Sequence, residues 1–233
     1  MKGKMWFLIG FFIILVLAMG ISCWEYPERK TDAPEPDPKR TFRMEYDYMW
    51  GYDVFAQGTQ KADSAFSPAN TDLVIHFDDI IEPAHVVDWE SLGIYLSWYW
   101  EITGGPDPRF VYKSYMMAMQ DADGKPSEQG EEMLGYTAAG GLEGLAHSVI
   151  FVQAIMDNYP GDQNMIDKTP IHEMGHIRGL HDLCDTNGIF NPEHDENDCV
   201  MGQGKYPVCT GQDVSINPHF CSACCDRVKQ VEW

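Results

Sequence analysis

Residues His172 to Asp182 read HEMGHIRGLHD, and this stretch restricts the fold more than any other in the chain. His172 and His176 are four residues apart, so on a helix their side chains share one face, one turn apart. Two imidazoles placed this way converge on a single metal ion. Glu173, about a quarter-turn away, reaches a water on that ion without ligating it. Local signals support the helix. Thr169 suits the N-cap, with Asp167 as an alternative start one turn earlier, and Pro170 suits the first helical position. The apolar run lasts to Ile177, and Gly179 supplies the left-handed residue that ends a helix. A chain that stops at a glycine turns back toward the metal. The next metal-capable side chain, Asp182 or His181, then completes a three-ligand site with an open corner for water.

The same residues carry a resemblance. H-E-x-x-H-x-x-G-x-x followed by His or Asp is the pattern of metzincin metallopeptidases. Most members place His third, whereas the snapalysin-like minority place Asp, and Asp182 stands at that position here. Spacing from the glycine favours Asp182, because it decides where the returning backbone lies; His181, one residue early, is the alternative. Cys199-Val200-Met201 resembles the Met-turn, in which a methionine packs beneath the metal. Cys184, then Cys199 with Met201, then Cys221-Ser222-Ala223-Cys224, is similar to the archaemetzincin pattern, whose four cysteines hold a second, structural zinc. The spacings depart from that family: Cys184 sits one residue late, the gap to Cys199 is longer, and Cys209 and Cys225 are additional. The resemblance is specific from His172 to Cys224 and general over residues 70 to 225.

What the resemblance implies is an α+β zincin-like metallopeptidase domain. It would have a mixed, twisted sheet, an active-site helix and a small cysteine-rich C-terminal subdomain. Catalytic zinc would be held by His172, His176 and Asp182, and Glu173 would activate the zinc-bound water for endopeptidase chemistry. A peptide or protein substrate would lie extended beside an edge strand, for which Ser148 to Ile155 is the candidate. Two rival readings stand beside this one. A catalytically silent surface lipoprotein could use a zinc-stabilised fold for binding, but a purely structural site has no need of Glu173 beside its open position. A zinc hydrolase of non-peptide amides shares the same motif.

The N-terminus decides the expected compartment. Lys2 and Lys4 precede Met5 to Ser22, which carries no charge and reads as a signal peptide or anchor over residues 1–22. Gly20-Ile21-Ser22-Cys23 resembles the bacterial lipobox, with Gly20 where Leu is usual, so Cys23 is the expected lipidation site. An uncleaved anchor and ordinary cleavage are the alternatives, and all three place residues 24 onward outside the cytoplasm, at the cell envelope or surface. Of seven cysteines, the six beyond Cys23 all lie at or after Cys184. An even count in an oxidising compartment favours disulfides over a second zinc for Cys184, Cys199, Cys221 and Cys224.

Residues 23–40 form a spacer, with Pro27, Pro34, Pro36 and Pro38 among alternating charges. The folded part then spans 41–233, divided as 41–181 and 182–233. Thr71 to Ile81 and Arg109 to Met119 read as strands, the second closed by the turn residues Asp121 to Gly124. Gly140, Gly141 and Gly144 mark a bend, and the β-branched run Ser148 to Ile155 reads as a strand. Tyr95, Trp98, Tyr99 and Trp100 are expected to pack rather than to act. His76, His85, His147 and His219 carry no assignment.

Charge excludes one large class of function. The chain has 16 Lys+Arg against 36 Asp+Glu, a formal net of -20, and no basic stripe. Nucleic acid is therefore excluded as a partner. A monomer is expected. His194 lies in the acidic stretch Asn191 to Asp198, which leaves Ca2+ open as a further ion; with no EF-hand spacing, a solvated loop is the favoured reading.

Overall fold

Ser114–Met119 is buried at all six positions, which is the mark of a strand covered on both faces. In the computed structural model it is β4, the middle of a five-stranded sheet ordered β2-β1-β4-β9-β8. The structure describes residues 38–82, 87–100, 114–128, 131–142, 145–183, 190–195, 199–202 and 218–230. Residues 38–233 group as one compact unit. The main strands are β1 (Arg40–Met49), β2 (Thr71–Ile81), β4 (Ser114–Met119), β8 (Gly135–Leu142) and β9 (Leu145–Phe151). Between them lie the short strands β3 (Val87–Asp88), β5 (Ala122–Asp123), β6 (Ser127–Glu128) and β7 (Glu131–Glu132). The helices are α1 (Gln60–Phe66), α2 (Leu92–Tyr99), α3 (Val152–Asn158), α4 (Gln163–Ile177) and α5 (Ser222–Gln230). Strands β2, β1, β4 and β9 run parallel, and β8 closes one edge antiparallel to β9.

Alternation along β4 divides the core. Met116 and Ala118 face a cluster shared with Phe42, Ile171, Met174 and the C-terminal cysteines. Tyr115, Met117 and Met119 face a second cluster containing Leu92 and Leu96 of α2. Tyr95, Tyr99 and Trp100 pack against that second cluster, while Trp98 is exposed. Asp47 lies fully buried on β1, where its carboxylate accepts the Asp79 N–H and the Tyr115 hydroxyl, both at 2.9 Å. Burial pushes its pKa up to about 6, against the lowering effect of those bonds.

Three sequence expectations need correction. Ser148 to Ile155 is strand only as far as Phe151 and helical from Val152. Phe151 pairs with Met119, the last residue of β4, so the ladder on that side ends there. Burial then falls at Val152, Ala154 and Ile155, with Gln153 and Met156 turned outward, a helical pattern that the β-branched run before it conceals. Secondly, α4 begins at Gln163, not near Thr169, because Asp162 caps it by accepting the Asn164 N–H at 3.0 Å. Pro170 is therefore interior, Thr169 donates its hydroxyl back to the Met165 carbonyl at 2.7 Å, and Asp167 pairs with Lys61 of α1 at 2.6 Å. Thirdly, Gly140 and Gly141 lie inside β8, whose pairing with β9 shifts register between Ala138 and Leu142. Gly144 and residues 109–113 lie outside the described residues, as do Met5 to Ser22, Cys23 and His85. Among the described residues no helix is long and apolar enough to cross a membrane.

Candidate metal centre

Helix α4 carries the candidate ligands, and its C-terminal end sets the third. Gly179 has φ +73°, the left-handed conformation expected of it. Leu180 N–H bonds Gly175 O at 3.0 Å and Gly179 N–H bonds His176 O at 2.9 Å, the two crossed bonds of a Schellman ending. This reversal sends the chain back across the open face of His172 and His176. Their Nε2 atoms are 3.1 Å apart, and each lies 3.3 Å from Oδ1 of Asp182. His181 points elsewhere: its side chain is 63 % exposed, with Nε2 3.9 Å from Glu193.

The triangle has the dimensions of a metal site. Tetrahedral zinc at 2.0–2.1 Å from N and O donors separates its ligand atoms by about 3.3 Å. Asp182 Oδ1 is buried and has no hydrogen bond of acceptable geometry. A buried carboxylate oxygen so placed is suited to a cation. Both imidazoles are also oriented for ligation: His172 Nδ1 donates to Val200 O at 3.0 Å and His176 Nδ1 to Leu180 O at 2.9 Å. Those bonds leave the Nε2 lone pairs facing inward. Burial depresses the His176 pKa, but the Asp182 carboxylate and the Glu173 charge outweigh it and push the value up to about 9. Burial raises the Asp182 pKa, and the two imidazoles overcome this to hold it well below the usual carboxylate range.

Glu173 sits beside the triangle, buried against the edge strand. Thr137 of β8 donates its hydroxyl to Oε2 at 2.5 Å. Since Thr137 has one proton to give, the 2.6 Å contact with Ser148 makes Ser148 the donor to Thr137. A Cβ on Gly135 would lie 2.6 Å from Glu173 Oε1, so only glycine fits that close approach. The four chemical groups His172, Glu173, His176 and Asp182 line one cavity of about 560 Å³, bordered by β8 and Lys168. Below the helix, Cys199 to Gly202 forms a tight turn closed by Gly202 N–H to Cys199 O at 2.9 Å. Met201 in that turn is fully buried, and its Sδ lies 2.4 Å from where a Cβ on Gly175 would stand.

A second cluster lies behind this turn. Cys199, Cys221, Cys224 and His194 are all buried and present ligand atoms within 4.8 Å of one another. Cys199 Sγ and Cys224 Sγ are 3.8 Å apart, and His194 Nδ1 is 3.2 Å from Cys224 Sγ and 3.6 Å from Cys221 Sγ. Tetrahedral zinc with sulfur at 2.3 Å separates two sulfurs by about 3.8 Å, whereas a disulfide needs about 2.05 Å. Cys199, Cys221, Cys224 and Cys225 are free thiols in this arrangement. Hydrogen bonds from Cys199 and Cys224 hold the Cys221 pKa far below the usual thiol range, and burial is overcome at His194, which the nearby sulfurs push up to about 10. Cys225 stands apart, its thiol directed at Phe220 O and pushed up by burial to about 11. Cys184 and Cys209 lie outside the described residues.

Sequence patterns do not reveal the ligand role open to His194, nor the support that Gly135, Thr137 and Ser148 give to Glu173. Pro192, Glu193 and Asp195 are exposed, as a solvated loop requires, but His194 between them is buried, and its neighbour Asp195 accepts the Ala223 N–H at the start of α5. No local pattern flags a threonine and a glycine on a distant edge strand. The expected substrate strand is also corrected. β9 is paired on both sides, by β4 and β8, so among the described residues the sheet edge beside the site belongs to β8.

The fold is a zincin-like α+β domain: a mixed sheet with an antiparallel edge strand, a helix carrying His172, Glu173 and His176 below it, and a cysteine-rich C-terminal region. The chain is similar to archaemetzincin from Methanopyrus kandleri, with a TM-score of 0.50 and 15 % identity over 84 % of this chain and 97 % of that one. A zinc-dependent peptidase from Methanocorpusculum labreanum is also similar, with a TM-score of 0.47 and 14 % identity over 79 % and 99 % of the two chains. No family model and no curated protein sequence matches the chain.

Proposed function

We propose that the chain is a zinc-dependent endopeptidase whose general base is Glu173. The observation that carries this reading is the His172, His176 and Asp182 triangle, with Glu173 held beside its open corner. The archaemetzincin fold supports it. A zinc ion held there supplies a Lewis acid that polarises the scissile carbonyl and acidifies water. Glu173 takes the proton of the attacking water and passes it to the leaving nitrogen. Thr137 and Ser148 fix one carboxylate oxygen, leaving the other to move the proton. β8, the edge strand among the described residues, offers a side on which an extended peptide can add as a strand.

A second ion belongs to the same proposal, held by Cys199, Cys221, Cys224 and His194. Cation binding would give the three converging thiols and the imidazole a common partner. Export and anchoring through Cys23 complete the reading; Cys23→Ser should abolish incorporation of labelled fatty acid, and unchanged labelling would refute lipidation there. The decisive experiment is Glu173→Gln. Zinc content should match wild type, while cleavage of casein or a peptide library falls by roughly 10²-fold or more. Undiminished cleavage by zinc-loaded Glu173→Gln protein would overturn the assignment.

A further inference from the structure

We propose that His194 is a positioning residue that couples the two ion sites, so that filling the cysteine cluster tightens the His172, His176 and Asp182 triangle. The inference rests on the two-ion reading above. Its origin is that both nitrogens of the buried His194 ring are engaged. Nδ1 faces Cys224 and Cys221, and Nε2–H donates to the carbonyl oxygen of His181 at 3.0 Å. That carbonyl belongs to the same rigid peptide plane as the Asp182 nitrogen. The ring therefore holds the backbone from which Asp182 reaches the triangle.

A second connection runs through the same two loops. Cys199 opens the turn whose Val200 carbonyl accepts the His172 Nδ1–H at 3.0 Å. Leu183 N–H, one residue after Asp182, bonds Met201 O in that turn at 2.9 Å. Cluster residues and the residues that orient the triangle thus alternate along common segments. An ion in the cluster fixes the His194 ring and the Cys199 turn together. Without it, the converging sulfurs and the imidazole have no common partner, and the ring is free to release the His181 carbonyl. Residues that orient metal ligands typically change affinity by roughly 10–100-fold. Linkage also requires that an occupied triangle tighten the cluster by the same factor.

Cadmium provides the test, because thiolates favour soft ions and its thiolate complexes absorb in the ultraviolet. The zinc affinity of the triangle is measured on the full chain by chelator competition, with and without one equivalent of cadmium. Cadmium should raise that affinity by about 10-fold. His194→Cys keeps a four-ligand cluster and its cadmium–thiolate band, but lacks the bond to His181, and the gain should shrink toward unity. Equal zinc affinity with and without cadmium in the unsubstituted chain would overturn the coupling, and this arm needs no variant to fold. An undiminished gain in His194→Cys would overturn the role of His194. Absence of the cadmium–thiolate band from the unsubstituted chain would overturn the two-ion reading itself.

Discussion

Gly135→Ala tests whether the edge strand holds the general base in place. The added Cβ would stand 2.6 Å from Glu173 Oε1 and 2.9 Å from its Cδ and Cγ. To reach ordinary contact at 3.4 Å, the carboxylate or the strand must retreat by about 0.8 Å. Either movement disturbs the base. If Glu173 shifts, it leaves its position beside the open corner; if β8 shifts, it carries away Thr137, which donates to Oε2. A misplacement near 1 Å costs roughly 10²-fold in rate. The expected result is therefore a kcat lowered by about that factor. Zinc content should be unchanged, because the three atoms nearest the added Cβ all belong to Glu173 and none to the triangle. Overpacking should also cost about 1–3 kcal/mol of stability. Steady-state cleavage of a fluorogenic peptide, metal analysis and denaturant unfolding measure the three quantities. Full kcat in folded, zinc-loaded Gly135→Ala protein would show that the close approach does not constrain the base.

Asp182→Ala should weaken zinc binding at the triangle by roughly 10–100-fold or more, whereas His181→Ala should leave it unchanged; chelator competition on both variants reads the difference. The reverse result would make His181 the third ligand. Asp47 supplies a pH signature remote from the metal. Its folded pKa of about 6 lies above the ordinary 3.8, so the folded chain holds an extra proton between those values and loses stability as pH rises through that window. Asp47→Asn should flatten this decline, by roughly 1–3 kcal/mol between pH 4 and 7, in unfolding curves taken across the range. An identical pH slope in both proteins would refute the assignment.

Much of the metal helix is legible in the sequence, since its signals are local. The spacing of His172 and His176 is a property of helical geometry, and the stop at Gly179 is a property of a residue without a Cβ. The start of the same helix is not legible. Thr169 and Pro170 form a persuasive first-turn signal, and nothing nearby says that Asp162 caps the helix earlier while Asp167 is engaged by Lys61. The apolar run through Phe151 and Val152 misleads for a related reason: where strand gives way to helix is set by the end of β4, on another segment.

By itself the sequence placed two imidazoles, the Glu173 carboxylate and a returning side chain, Asp182 or His181, within eleven residues, because one helical turn and one glycine bend are short-range geometry. Tertiary structure decided everything that needs a partner from elsewhere in the chain. Sheet order made β8 an edge strand among the described residues and so brought Gly135 and Thr137 to Glu173. Packing of α5 against the turn at Met201 gathered Cys199, Cys221 and Cys224 with His194, at separations suited to a shared ion and too long for a disulfide. Contacts between residues distant in sequence depend on how whole strands and helices stack, and no local pattern of residues encodes that arrangement.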